Sequence, residues 1–195
     1  MAIERVAVIG AGPAGRAFAL RCAAAGLDVV LEDVMPAKLR RAQDTYAALT
    51  GPGAAPLPVR YALTVEDAVR NADLAIDFVP DELESKLEIF SLLDRMAPPH
   101  TILLTPTETL SLADLASCTM RPQLCVGLRG VGLRGDVLGA DMLGRTVELV
   151  RSRYATEAAM AAVAAMLARM GLVAGEAADL AEPMLVRNIP YETSR

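Results

Sequence analysis

The chain has 195 residues, of which 53% are hydrophobic and many of those alanine, and a formal net charge of −5 at pH 7. That length supports one domain with a real core, while the intermixed acids and bases exclude a nucleic-acid or anionic-membrane surface. Only 4% of residues are aromatic and none is tryptophan, so no stacking platform for bases is expected.

Apolar runs and helical patterns alternate from the start. Ile3 to Ile9 reads as a buried strand, Pro13 to Ala25 as a helix and Asp28 to Leu31 as a second strand. Pro36 to Leu49 reads as a helix whose wet face carries Lys38, Arg40, Arg41 and Gln43. The glycine- and proline-rich run from Gly51 to Pro58 predicts a loop, and Val59 to Leu63 a short strand. Thr64 is placed to cap a short helix. Leu74 to Val79 reads as a buried strand, and a helix from Asp81 to Met96 is stopped by Pro98-Pro99. Thr101 to Leu104 reads as a strand, Leu110 to Ser117 as a short helix and Leu124 to Leu128 as a strand. Six glycines crowd the stretch from Gly127 to Gly144, which predicts a loop or a set of short strands. Thr146 to Val150 follows as a strand, Ala155 to Met170 as an alanine-rich helix and Leu172 to Ala174 as a last strand. Strand, helix, strand in repetition predicts an α/β fold of Rossmann type: a doubly wound, mostly parallel sheet with helices on both faces.

The first crossover carries the chemistry. Gly10, Gly12 and Gly15 fit G-x-G-x-x-G within Gly10-Ala11-Gly12-Pro13-Ala14-Gly15, between a strand and a helix. The first glycine permits the sharp turn, the second lets a pyrophosphate approach the backbone, and the third lets helix and strand pack closely. The helix N-terminus then presents its amides to the phosphates. Asp33 lies 18 residues after Gly15, where an acid bridges the adenosine ribose hydroxyls and repels a 2′-phosphate. The expected cofactor is therefore NAD. The same glycine turn occurs in FAD-binding folds, but those need a longer chain and a second flavin-contacting segment, which is not found here.

Other polar signals are weak. Cys22, Cys118 and Cys125 are too widely spaced and odd in number for a disulfide framework or a zinc motif, and are expected as buried small residues in a reducing cytosol. His100, the sole histidine, precedes a strand and so falls at the end of the sheet opposite the cofactor. The start, Met1-Ala2-Ile3-Glu4-Arg5-Val6, runs straight into a strand with no leader pattern. Each apolar run is interrupted before it reaches membrane-span length. A cytoplasmic protein is expected.

From the glycine turn through Ala75-Ile76-Asp77-Phe78-Val79-Pro80-Asp81-Glu82-Leu83-Glu84-Ser85-Lys86, the chain resembles the NAD-binding domain of 3-hydroxyacyl-CoA dehydrogenases. The resemblance covers most of residues 3 to 190. It implies that Gly10, Gly12, Pro13, Ala14, Gly15, Asp33, Val79, Asp81 and Lys86 hold the cofactor. It breaks at the catalytic positions. The family's Ser-Asn-Thr-Ser-Ser-Leu turn corresponds to Thr105-Pro106-Thr107-Glu108-Thr109-Leu110, which puts Glu108 at the serine and Pro106 at the asparagine. Its Gly-Leu-His-Phe-Phe-Asn-Pro corresponds to Gly127-Leu128-Arg129-Gly130-Val131-Gly132-Leu133, which puts Arg129 at the histidine that serves as general base. Arginine stays protonated and cannot be that base. The glutamate that orients the histidine is matched by Glu148, several residues further along because the glycine-rich stretch is longer. The family's terminal Asn-Arg pair reads Arg187-Asn188.

Residues 1 to 180 are therefore expected to form the NAD-binding domain, with 181 to 195 a tail in place of the family's helical domain. Three functions fit. The first is an NAD-binding protein without the classical dehydrogenase activity, acting as a sensor, regulatory or partner subunit. The second is an NAD-dependent oxidoreductase for an anionic hydroxy or oxo substrate, with Glu108, Arg129 and Arg134 beside the nicotinamide and Glu148 nearby. The third is a scaffold that dimerises through its alanine-rich helices, although a core face of the same domain is the expected use of Ala155 to Met170.

Overall fold

The computed structural model describes residues 2–50, 58–130 and 146–179. In chain order they form β1 (Arg5–Ile9), α1 (Pro13–Ala24), β2 (Asp28–Glu32), α2 (Pro36–Thr50), β3 (Val59–Ala62), α3 (Val65–Val69), β4 (Leu74–Asp77) and α4 (Leu83–Met96). They continue with β5 (Ile102–Pro106), α5 (Leu112–Ser117), a 3-10 turn at Pro122–Leu124, β6 (Cys125–Arg129), β7 (Thr146–Arg151), α6 (Glu157–Arg169) and β8 (Val173–Ala178).

All eight strands join one sheet in the order β3-β2-β1-β4-β5-β6-β7-β8. The pairs from β3 to β6 are parallel, β6 and β7 run antiparallel, and β7 and β8 are parallel again. The doubly wound α/β expectation holds, with one reversal at β7. The central strands are buried on both faces, so they read as continuous apolar runs rather than alternating ones.

Strand alternation sends side chains into two core layers. Val6, Val8, Leu74, Ile76, Ile102, Leu104, Val126 and Leu128 face α1 and α6. Ala7, Ile9, Val30, Ala75, Leu103 and Cys125 face α3, α4 and α5. Helix α6 buries Ala159, Met160, Ala162, Val163, Met166 and Leu167 in the first layer, so its apolar face is used within the domain.

Local chemistry sets the helix starts. Pro13 opens α1, where its missing N–H costs nothing. The hydroxyls of Thr64, Ser111 and Thr156 cap α3, α5 and α6 by accepting from Asp67, Asp114 and Ala159. Two cysteines, Cys22 and Cys125, are buried, but Cys118 is exposed at the end of α5, which corrects the expectation for that residue. His100 lies 3.7 Å from Asp73, which precedes β4 and pairs with Arg5 at the start of β1. It is thus at the edge opposite the glycine turn. The glycine-rich stretch 131–145, Arg134, Arg187, Asn188 and the tail from 180 lie outside the described residues.

Candidate functional site

The C-terminal ends of β1, β2 and β4 meet around the glycine turn. Gly10 has φ 99°, and a Cβ there would stand 3.3 Å from the Phe78 carbonyl oxygen, so only glycine makes this turn without strain. A Cβ on Gly15 would lie 1.9 Å from the Gly10 oxygen, which is why α1 can pack so tightly on the strand it follows. Gly12 is different: nothing lies within 4 Å of where its Cβ would be. The space in front of Gly12 is open, as a bound pyrophosphate requires.

Asp33 ties this turn to β2. Its carboxylate accepts from the Ala11 N–H at 2.9 Å, the Met35 N–H at 2.9 Å and the Lys38 ammonium at 3.1 Å. Burial alone would raise its pKa. The two N–H donors and Lys38 outweigh that and hold the carboxyl below its ordinary value. Its role in shaping the turn is additional to the ribose contact expected from sequence. A carboxylate has about four acceptor positions, so three bonds leave room for a further donor.

Beside the turn lies a cavity of about 400 Å³. It gathers Gly10 and Asp33 with the apolar Val65, Val79, Ile89 and Leu92, and with Glu32. The size and mixed lining suit a nucleoside. Glu32, the last residue of β2, carries no signal of its own in the sequence, because the spacing from the glycine turn marks its neighbour Asp33.

The other candidate cofactor residues lie apart from this cavity. Pro13 and Ala14 begin α1 at the turn. Lys86, 1% exposed, places its ammonium 2.6 Å from the fully buried Asp77 at the end of β4. Burial pushes the Asp77 carboxyl above its ordinary value, and Lys86 works against that. Asp81 is exposed and braces the next turn, accepting from the Glu108 N–H at 3.0 Å and the Thr109 hydroxyl at 3.5 Å.

The residues at the ends of β5, β6 and β7 form a second cluster. Glu108 accepts from the Gly130 N–H at 3.3 Å and is otherwise exposed. Arg129, 4% exposed, donates to the carbonyl oxygens of Thr107 and Ala178, each at 3.3 Å. Among the described residues no acid forms an ion pair with it. Glu148 stands directly opposite Arg129 in the antiparallel β6–β7 register. Directly opposed residues present their side chains on the same face, with Cβ atoms about 5 Å apart. Pairing of the strands thus removes the displacement that the longer intervening stretch suggested.

Residues 5–179 match the family described as "3-hydroxyacyl-CoA dehydrogenase, NAD binding domain". A probable 3-hydroxybutyryl-CoA dehydrogenase of Bacillus subtilis is 30% identical over 191 residues, covering 92% of this chain and 64% of that protein. A 5-formyl-3-hydroxy-2-methylpyridine 4-carboxylate 5-dehydrogenase of Mesorhizobium japonicum is 30% identical over 135 residues, 65% of this chain and 44% of the relative. Among solved structures, that of a diketoreductase superposes with a TM-score of 0.77 at 26% identity, covering 91% of this chain and 65% of the other. The chain thus spans less than two thirds of the length of each. No helix among the described residues is long and apolar enough to cross a membrane.

Proposed function

The chain belongs to the 3-hydroxyacyl-CoA dehydrogenase family through its NAD-binding domain, and we propose that it binds NAD without performing the histidine-dependent oxidation of 3-hydroxyacyl-CoA thioesters. The observation that carries this reading is Arg129. It occupies the strand position that the family resemblance assigns to the histidine, and Glu148 lies opposite it. A guanidinium cannot take a hydroxyl proton at neutral pH. The sole histidine of the sequence, His100, lies at the far end of the sheet beside Asp73. A role as a sensor, regulatory or partner subunit follows from cofactor binding uncoupled from that reaction.

The residues of the first cluster divide the work of holding the dinucleotide. The open face of Gly12 admits the pyrophosphate, the Asp33 carboxylate takes the ribose hydroxyls, and Val65, Val79, Ile89 and Leu92 enclose the base. Bound NAD would supply a hydride acceptor.

One observation favours a second reading, an oxidoreductase for an anionic hydroxy or oxo substrate. Arg129 is a buried cation whose hydrogen bonds among the described residues go to two carbonyl oxygens. A planar guanidinium suits a carboxylate, and the Mesorhizobium relative is named for a pyridine carboxylate. Glu108 would then be the candidate proton acceptor, anchored on the Gly130 N–H. Nothing comparable favours a dimerising scaffold.

The deciding experiment follows absorbance of the reduced nicotinamide while the protein, with NAD, is offered 3-hydroxybutyryl-CoA and a panel of small hydroxy acids. NAD binding by calorimetry with no turnover of any of them supports the first reading. Turnover of a hydroxy acid that is lost in Arg129→Met supports the second. Turnover of 3-hydroxybutyryl-CoA would overturn the main proposal.

A further inference from the structure

We propose that Glu32 is the residue that recognises the adenine base, pairing with it as a neutral carboxylic acid, so that cofactor affinity falls as the pH rises through neutrality. This rests on the NAD-binding reading and extends it to a residue outside the glycine turn and the ribose acid.

The argument begins with where β2 ends. Glu32 is 3% exposed, and its Oε1 is buried with no hydrogen-bond partner among the described residues. In register its neighbours are Ile9 on β1 and Ala62 on β3, both apolar. Ile9 in turn separates it from Asp77 on β4, whose charge is matched by Lys86. The strands therefore offer Glu32 nothing to bond to. The side chain lines the cavity instead, together with the apolar Val65, Val79, Ile89 and Leu92. A buried carboxyl without a partner is costly to keep, and a ligand that supplies the partner recovers that cost.

The charged groups around the cavity decide its protonation. Asp33 on the same strand end repels a second negative charge, and Glu88 from α4 lines the same space. Lys38 from α2 attracts one, but it is already bonded to Asp33 at 3.1 Å. Burial first, then Asp33, push the Glu32 carboxyl up to about 7, against the pull of Lys38.

A neutral carboxyl presents a donor O–H and an acceptor C=O side by side. Adenine presents the complement: the 6-amino donor flanked by the N1 and N7 acceptors. One carboxylic acid can satisfy either edge with two hydrogen bonds. The ionised form keeps only acceptors and would face a ring-nitrogen lone pair.

The test is calorimetric titration of NAD, and separately of adenosine, at pH 6 and pH 8; neither ligand titrates in that interval. If only the protonated form binds, wild-type affinity weakens about tenfold between the two pH values, the factor by which the protonated fraction falls one unit above a midpoint near 7. Glu32→Gln, whose amide imitates the neutral acid at every pH, keeps the pH 6 affinity at pH 8. Glu32→Val is weak at both. A wild-type affinity that is flat with pH and unchanged in Glu32→Gln overturns the inference while leaving the cofactor reading intact. Adenosine binding with the pH step, but no NAD binding, upholds Glu32 and overturns the cofactor reading. Binding of neither ligand overturns both.

Discussion

The two halves of the sheet edge are built on different principles. At β2, β1 and β4 the polar groups are satisfied by the fold itself: Asp33 by two backbone N–H groups and Lys38, and Asp77 by Lys86. One oxygen of Asp77 and one of Glu32 stay without a hydrogen bond among the described residues, and of the two residues Glu32 is the one that lines the cavity. At β5, β6 and β7 the side chains are less constrained. Glu108 and Glu148 are exposed, and the buried Arg129 leans on two carbonyl oxygens with no acid in ion-pair range among the described residues. A preformed site for a constant ligand needs the first arrangement. The second leaves charge available for a ligand, and it is the half where the family resemblance sets Arg129 at the histidine position.

Predictions follow the strength of that contrast. The largest effect is expected at Lys86→Met, which strands a fully buried Asp77 carboxylate and costs about 3–5 kcal/mol in denaturant unfolding. Arg129→Met removes a buried cation that has no ion-pair partner among the described residues, so stability changes by only about 1 kcal/mol. Equal losses in the two variants would erase the distinction between the halves.

Next in size is a pair within the glycine turn. Gly15→Ala drives a methyl group against the Gly10 oxygen and should destabilise by about 1–3 kcal/mol. Gly12→Ala meets nothing in the protein and should melt like the wild type, yet weaken NAD binding about tenfold or more by filling the pyrophosphate's place. A Gly12→Ala protein that binds NAD normally would remove the turn from the cofactor site.

A smaller effect is expected from Glu32 on stability. Its carboxyl is raised to about 7 in the native state, above its ordinary value when unfolded. Between those two values the native state holds a proton that the unfolded chain has released, so stability falls as pH rises through this window and levels off above about 7. Glu32→Gln should lack that decline in a series of thermal melts; an identical pH profile for both proteins would show that Glu32 is ionised throughout. The smallest effect is expected at the exposed Arg60–Asp28 pair, where Arg60→Ala should change unfolding free energy by less than about 1 kcal/mol.

Much of this protein was legible in the order of its residues. The glycine turn, the acid at Asp33 and the alternation of apolar runs with helices dictate a Rossmann-type sheet, because each is a local signal with a local cause: a positive φ at Gly10, a proline at a helix start, a strand buried on both faces. The family resemblance added Arg129 at the histidine position. Three things depended on tertiary structure. Glu148 comes level with Arg129 only through the β6–β7 register, which sequence separation hides. Lys86 and Asp77 meet because α4 folds back over β4, burying both charges together. Glu32 Oε1 is left without a partner among the described residues because both neighbouring strands place an apolar residue beside it, a matter of pairing between strands that no spacing along one strand can encode.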